Sequence, residues 1–153
     1  MSGWQAGRDQ IAQLLKQRHL DQVSGEAADG YFRLEEARQR LASAQALAPI
    51  DAVGAFEMAY DAVRQAATAL LLQQGLRPRS DGGHVAVAEA VRAQFGASFD
   101  MFNVLRRVRN RLEYPDTATD LTVDQSDLRE ALQYAQRTVT AVEELLPNLT
   151  FWQ

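Results

Sequence analysis

The sequence predicts an all-α protein, a single up-and-down helical bundle of five core helices with a shorter helix at its N-terminus. Two observations carry this reading. Apolar residues recur at spacings of three and four through five segments, and no run alternates apolar with polar residues in the manner of a strand. A length of 153 residues suits one domain. The composition, 46% hydrophobic and 24% charged, suffices for a real core and excludes a disordered tail or a fibre.

Ile11, Leu14 and Leu15 mark the short N-terminal helix. Leu34, Ala37, Leu41, Ala44 and Ala48 form the apolar stripe of the second. The third carries Phe56, Ala59, Tyr60, Val63, Ala67 and Leu70. Asp51 is placed to cap its start, and Gly75 to supply the left-handed residue that ends it. The fourth runs over about 83–95, with Val87, Val91 and Phe95 on one side and Gly96 as its stop. Ser98 is the expected N-cap of the fifth, which carries Met101, Leu105, Val108 and Leu112. In the last, Thr122 and Gln125 form the expected capping box. Its stripe is Leu128, Ala131, Leu132, Ala135, Val139 and Val142, and Pro147 ends it. Two short breaks, 76–82 and 114–121, read as loops.

With no cysteine in the chain, disulfides, zinc ribbons, thiol nucleophiles and iron–sulfur clusters are excluded. His19 and His84 form no metal-ligand spacing, so no metal and no cofactor is expected. A net charge of −4 is not that of a polycation that coats nucleic acid. The longest apolar run, 69–72, falls far short of the roughly 18 residues of a membrane span. The opening residues lack a basic start followed by an apolar stretch. The expectation is a soluble cytoplasmic protein with no membrane partner.

The densest chemical feature is the run from Arg106 to Pro115, in which Arg106, Arg107, Arg109 and Arg111 fall within six residues. On a helix turning by about 100° per residue, Leu105, Val108 and Leu112 define the buried face and Arg107 points into solvent. Arg109 lies about 40° from Leu105, at the margin of the core, where a permanently charged guanidinium must find partners. Such a cluster can grip a phosphate backbone. It can equally be a solvated face paired with the carboxylates of neighbouring helices. His84, after Gly82-Gly83, fits a loop base or a helix-capping residue. Gly82-Gly83 has no phosphate-loop pattern and reads as a turn. Tyr60 and Tyr134 sit on core stripes. Members of the adjacent pairs Glu35-Glu36 and Glu143-Glu144 point to different sides of their helices and form no dyad.

The stretch Ala59-Tyr60-Asp61-Ala62-Val63-Arg64, then Ala69 to Gly75, then His84, then Arg109-Asn110-x-x-x-Tyr114, resembles the HEPN family of small helical bundles over about 27–146. The family motif is an Arg, usually followed by a polar residue, with a His little more than a helical turn beyond. Two copies face each other across a homodimer to form a composite, metal-independent RNA-cleaving site. Many members are toxins or defence effectors held in check by a neighbouring nucleotidyltransferase, and others are binding modules. The resemblance makes Arg109 the motif arginine and Asn110 its polar follower; Arg106, Arg107 and Arg111, from the basic cluster itself, are the candidate nucleic-acid contacts. Tyr114 stands where the family has histidine, and no His follows His84. An unperturbed imidazole titrates at about 6.5 and a phenol at about 10, so Tyr114 donates hydrogen bonds well but is a poor base near neutrality.

Three readings follow. One is a homodimeric HEPN-like module associated with RNA or a nucleotide, of a toxin–antitoxin or defence system, with a degenerate catalytic motif and a nucleotidyltransferase antitoxin as partner. The second is an active metal-independent ribonuclease toxin using Arg109, Asn110 and Tyr114. The third is a plain helical protein-interaction domain.

Overall fold

The computed structural model describes residues 4–79 and 83–153, the side chains at 83 and 84 excepted. Six α-helices make up the described chain: α1 (Arg8–Lys16), α2 (Tyr31–Leu47), α3 (Ala52–Gln73), α4 (Gly83–Phe95), α5 (Asp100–Glu113) and α6 (Gln125–Leu145). The all-α bundle expected from the periodicity is the fold.

α3 is the central element because its stretch from Ala66 to Leu72 is apolar but for Thr68. Every residue from Ala66 to Leu72 is buried, and α2, α4, α5 and α6 all pack around it. Its small side chains, Ala55, Ala59, Ala62, Ala66 and Ala69, let neighbouring helices approach closely while Leu70 and Leu71 fill the space beyond. One approach is closer still. A Cβ on Gly30, just before α2, would run into the carbonyl of Ala69, and the Gly30 amide donates to Gln73 Oε1 at 3.0 Å.

The helix signals are partly those read from the sequence. Asp51 caps α3 by accepting from the Gly54 amide at 2.9 Å. Gly75 (φ 74°) and Gly96 (φ 77°) take the left-handed conformation, and α6 ends at Leu145 just before Pro147. Two caps differ. Ser98 does not cap α5: it lies in a 3-10 turn, Gly96–Phe99, and Phe99 precedes the helix without a side-chain cap. Thr122 and Gln125 form no capping box, because α6 starts at Gln125 and Asp124 caps it, accepting from the Asp127 amide at 2.7 Å. Thr122 instead closes a preceding 3-10 turn, Ala118–Leu121, which has its own capping box between Thr117 and Asp120.

The segment 76–82 is not wholly a loop. Leu76–Pro78 (β2) pairs antiparallel with Leu20–Gln22 (β1), Leu20 opposite Pro78 and Gln22 opposite Leu76. Leu20 and Leu76 are buried under this two-stranded ribbon, which ties the end of α1 to the end of α3. Strands of three residues are too short to show an alternating pattern, so periodicity passes over them.

Candidate functional site

α5 carries the arginine cluster, and its buried face is rotated from the expected one. Phe102, Leu105 and Leu112 are buried, whereas Met101 and Val108 are only partly so. Phe102 wins the core position because its ring meets Tyr60 of α3 edge-on, centroids 5.9 Å apart. Seven residues on, about 20° from Phe102 around the helix, comes Arg109. Its guanidinium therefore leans on the core: it sits 5.8 Å from the centre of the Tyr60 ring and pairs with Glu113, one turn along, at 2.6 Å. The marginal position read from the sequence is the one it occupies.

Arg109, Glu113 and Tyr60 line a surface pocket of about 320 Å³, completed by Asp61, Arg64 and residues near the start of α3. Asp61 organises its far wall. One carboxylate oxygen accepts from Arg64 Nη2 at 2.6 Å, and the other meets Arg40 Nε at 3.2 Å. Burial pushes the Tyr60 phenol above its ordinary range, and the positive charges of Arg109, Arg64 and Arg106 pull it back.

The remaining arginines of α5 differ from Arg109. Arg106 Nε lies 3.4 Å from Asn103 Oδ1, Arg107 Nε donates to the Asn103 carbonyl at 3.3 Å, and Arg111 Nη2 donates to the Thr122 carbonyl at 2.9 Å. None of the three forms an ion pair among the described residues. Arg107 and Arg111 are exposed and four residues apart, so they share a helix face, with exposed Val104 and Tyr114 three residues beyond either end.

Tyr114 ends α5, its amide donating to the Asn110 carbonyl at 2.9 Å. Its side chain is 76% exposed and, like Asn110, does not line the pocket that holds Arg109. The three motif residues thus divide between two sides of the helix end. His84 opens α4, and its side chain lies outside the described residues.

Sequence reasoning overlooked Tyr60, Asp61, Arg64 and Glu113 as lining of this pocket. The available signal was the four-residue spacing that stacks Tyr60 on Arg64 and Arg109 on Glu113, but nothing in one sequence says that these two helix faces meet.

The HEPN domain family model matches residues 31–145, three quarters of the chain. The protein belongs to the HEPN domain family. No curated protein and no solved structure is significantly similar to it. The matched span of this HEPN chain covers α2 through α6, and so includes the pocket and the whole arginine cluster. No helix among the described residues is long and apolar enough to cross a membrane.

Proposed function

We propose that this HEPN chain is a homodimeric, RNA-associated module whose catalytic motif has lost its proton-transfer group, working within a toxin–antitoxin or defence system beside a nucleotidyltransferase partner. The observation that carries the reading is the state of the α5 arginines. The chain has 20 acidic residues, yet Arg106, Arg107 and Arg111 take no carboxylate among the described residues. A basic face kept for salt bridges would be paired. An unpaired one is available to phosphates, whose contacts gain from counterion release.

Binding, rather than cleavage, follows from the motif itself. Arg109 is held by Tyr60 and Glu113 and can present a fixed charge to a phosphate. The Tyr114 side chain stands in solvent, outside the pocket that holds Arg109. The exposed side chains of Val104 and Tyr114, flanking Arg107 and Arg111, give α5 the apolar margin against which a second copy can close. In that arrangement the two α5 helices meet through their Arg107–Arg111 faces, with Tyr114 at the contact and Arg109 on the other side of each helix.

Fluorescence anisotropy with a short labelled single-stranded RNA, in chelator, tests the reading. Wild type binds at low salt without cutting, and Arg107→Ala binds more weakly with a salt slope flatter by about 0.7. Tyr114→His, which restores an imidazole, gains slow cleavage; general acid–base help is worth about 10²–10⁴-fold. Absence of binding by wild type at low salt, or binding unchanged in Arg107→Ala, returns the cluster to a solvated surface. Strong cleavage by wild type that Tyr114→Phe abolishes makes the phenol the working group and the protein a nuclease.

A further inference from the structure

A second cavity, of about 420 Å³, opens on the other side of Arg64, between α2, α3, α4 and the β-ribbon. Four arginines line it: Arg33 from α2, Arg64 from α3, Arg77 from β2 and Arg79 just after it. The described lining includes no carboxylate, in a chain whose net charge is −4. Among the described residues, two carboxylates stand behind three of these arginines. Asp21 serves both Arg79, at 3.3 Å, and Arg77, at 3.8 Å, while Asp61 is divided between Arg64 and Arg40.

Arg33 is the most telling of the four. It forms no ion pair among the described residues. Its position is fixed by neutral groups: Nη1 donates to Oε1 of the buried Gln65 at 3.0 Å, and its guanidinium lies 5.4 Å from the centre of the Phe32 ring. Its Nε is shielded from water with no partner. Holding a guanidinium in this way costs desolvation that no carboxylate repays. Such an arrangement becomes favourable once an anion enters the cavity.

The chemistry of the lining selects the anion. Guanidiniums arriving from three different elements suit a multi-oxygen dianion, approached bidentately from several sides, better than a single carboxylate. The partly exposed Phe32, with Pro78 and Val87, adds an apolar wall for the rest of the molecule. A volume of about 420 Å³ matches a small ligand, within the usual range of about 300–1,000 Å³ for such sites. We propose that this cavity binds a small organic phosphate, a phosphoryl group carried on an apolar or aromatic body. The site is distinct from the Arg107–Arg111 face of α5 and does not depend on that face contacting RNA.

Isothermal titration calorimetry at low ionic strength, with phenyl phosphate as the probe and sulfate as the comparison, decides it. Phenyl phosphate binds saturably at one site per chain and more tightly than sulfate. Arg33→Gln weakens it about tenfold or more, the loss expected for a charged hydrogen bond. Arg77 is 55% exposed on the ribbon, so Arg77→Gln tests the site with little threat to the fold, and it weakens binding in the same direction. Arg107→Gln leaves phenyl phosphate binding unchanged. The proposal fails if no saturable binding occurs, or if sulfate binds as tightly as phenyl phosphate, which marks a general anion patch. It fails equally if Arg107→Gln weakens binding as much as the two cavity variants do. Single-stranded RNA binding that needs Arg33 and Arg77, without phenyl phosphate binding, makes the cavity part of an RNA path and also overturns it.

Discussion

Tyr134 is 5% exposed, and its hydroxyl donates to the Ser98 carbonyl at 2.9 Å, linking α6 to the turn before α5. Burial pushes its phenol up to about 12. The folded pKa therefore lies above the unfolded value of about 10. The protonated phenol contributes its full stability below pH 10, and that contribution is lost as the pH rises through about 12. Urea denaturation of wild type should show stability falling by on the order of 2 kcal/mol across this alkaline window. In Tyr134→Phe that share of the fall disappears, whereas at neutral pH the variant loses about 1 kcal/mol for the missing hydrogen bond. An identical alkaline profile in Tyr134→Phe counts against the assignment. At this scale much was legible: both core tyrosines, the solvent-facing Arg107 and the marginal Arg109 follow from helical spacing alone. The ring beneath Arg109 was not, because a cation–π contact joins residues 49 positions apart in the sequence and depends on how α3 and α5 cross. Arg33 was invisible for the same reason, since its charge becomes conspicuous only when α2 is laid beside the ribbon.

Helix existence was read correctly throughout, whereas caps were the weak point. Thr122 matched the capping-box pattern, but Asp124 two residues later competes for the same job. A carboxylate beside the positive end of a helix adds charge to the hydrogen bond that a hydroxyl supplies. The consequence is measurable. Asp124→Ala should cost about 0.5–2 kcal/mol in chemical denaturation, while Thr122→Ala, which loses only an exposed 2.7 Å bond to the Thr119 carbonyl, should cost less. The reverse order would restore Thr122 as the cap. The stripe of α5 slipped because Met101 and Phe102 are adjacent and both apolar, so spacing alone could not choose between them. The edge-on contact with Tyr60 does. The ribbon escaped because its stabilisation is tertiary. Leu20 and Leu76 are buried by the helices around them, and Val23 N–H donates to the Gly75 carbonyl at 2.8 Å only because α3 ends where it does.

Across the whole molecule the charge is arranged against itself. The chain carries −4 overall, yet α5 presents Arg107 and Arg111 on one exposed face with Val104 and Tyr114 at its margins. Two copies meeting through this face bring like charges together inside an apolar frame. Closing the frame is favourable through burial of Val104 and Tyr114, and the opposing repulsion is long-ranged only when salt is scarce. The screening length is about 30 Å at 0.01 M salt and about 10 Å at 0.1 M. Homodimerisation through α5 should therefore strengthen as salt rises through this range, the opposite of what an interface between complementary charges does. Overall acidity also contributes to repulsion at low salt, so the two sources must be separated by substitution. Arg107→Ala makes the molecule more acidic while reducing the charge on the face. If α5 forms the contact, this variant dimerises more readily than wild type at low salt; if overall acidity dominates, it dimerises less readily. Sedimentation velocity of both proteins across a salt series reads the difference directly. Monomers at every salt concentration would remove α5 as a dimer interface, and a wild-type dimer that tightens as salt falls would place the contact between oppositely charged faces elsewhere on the bundle.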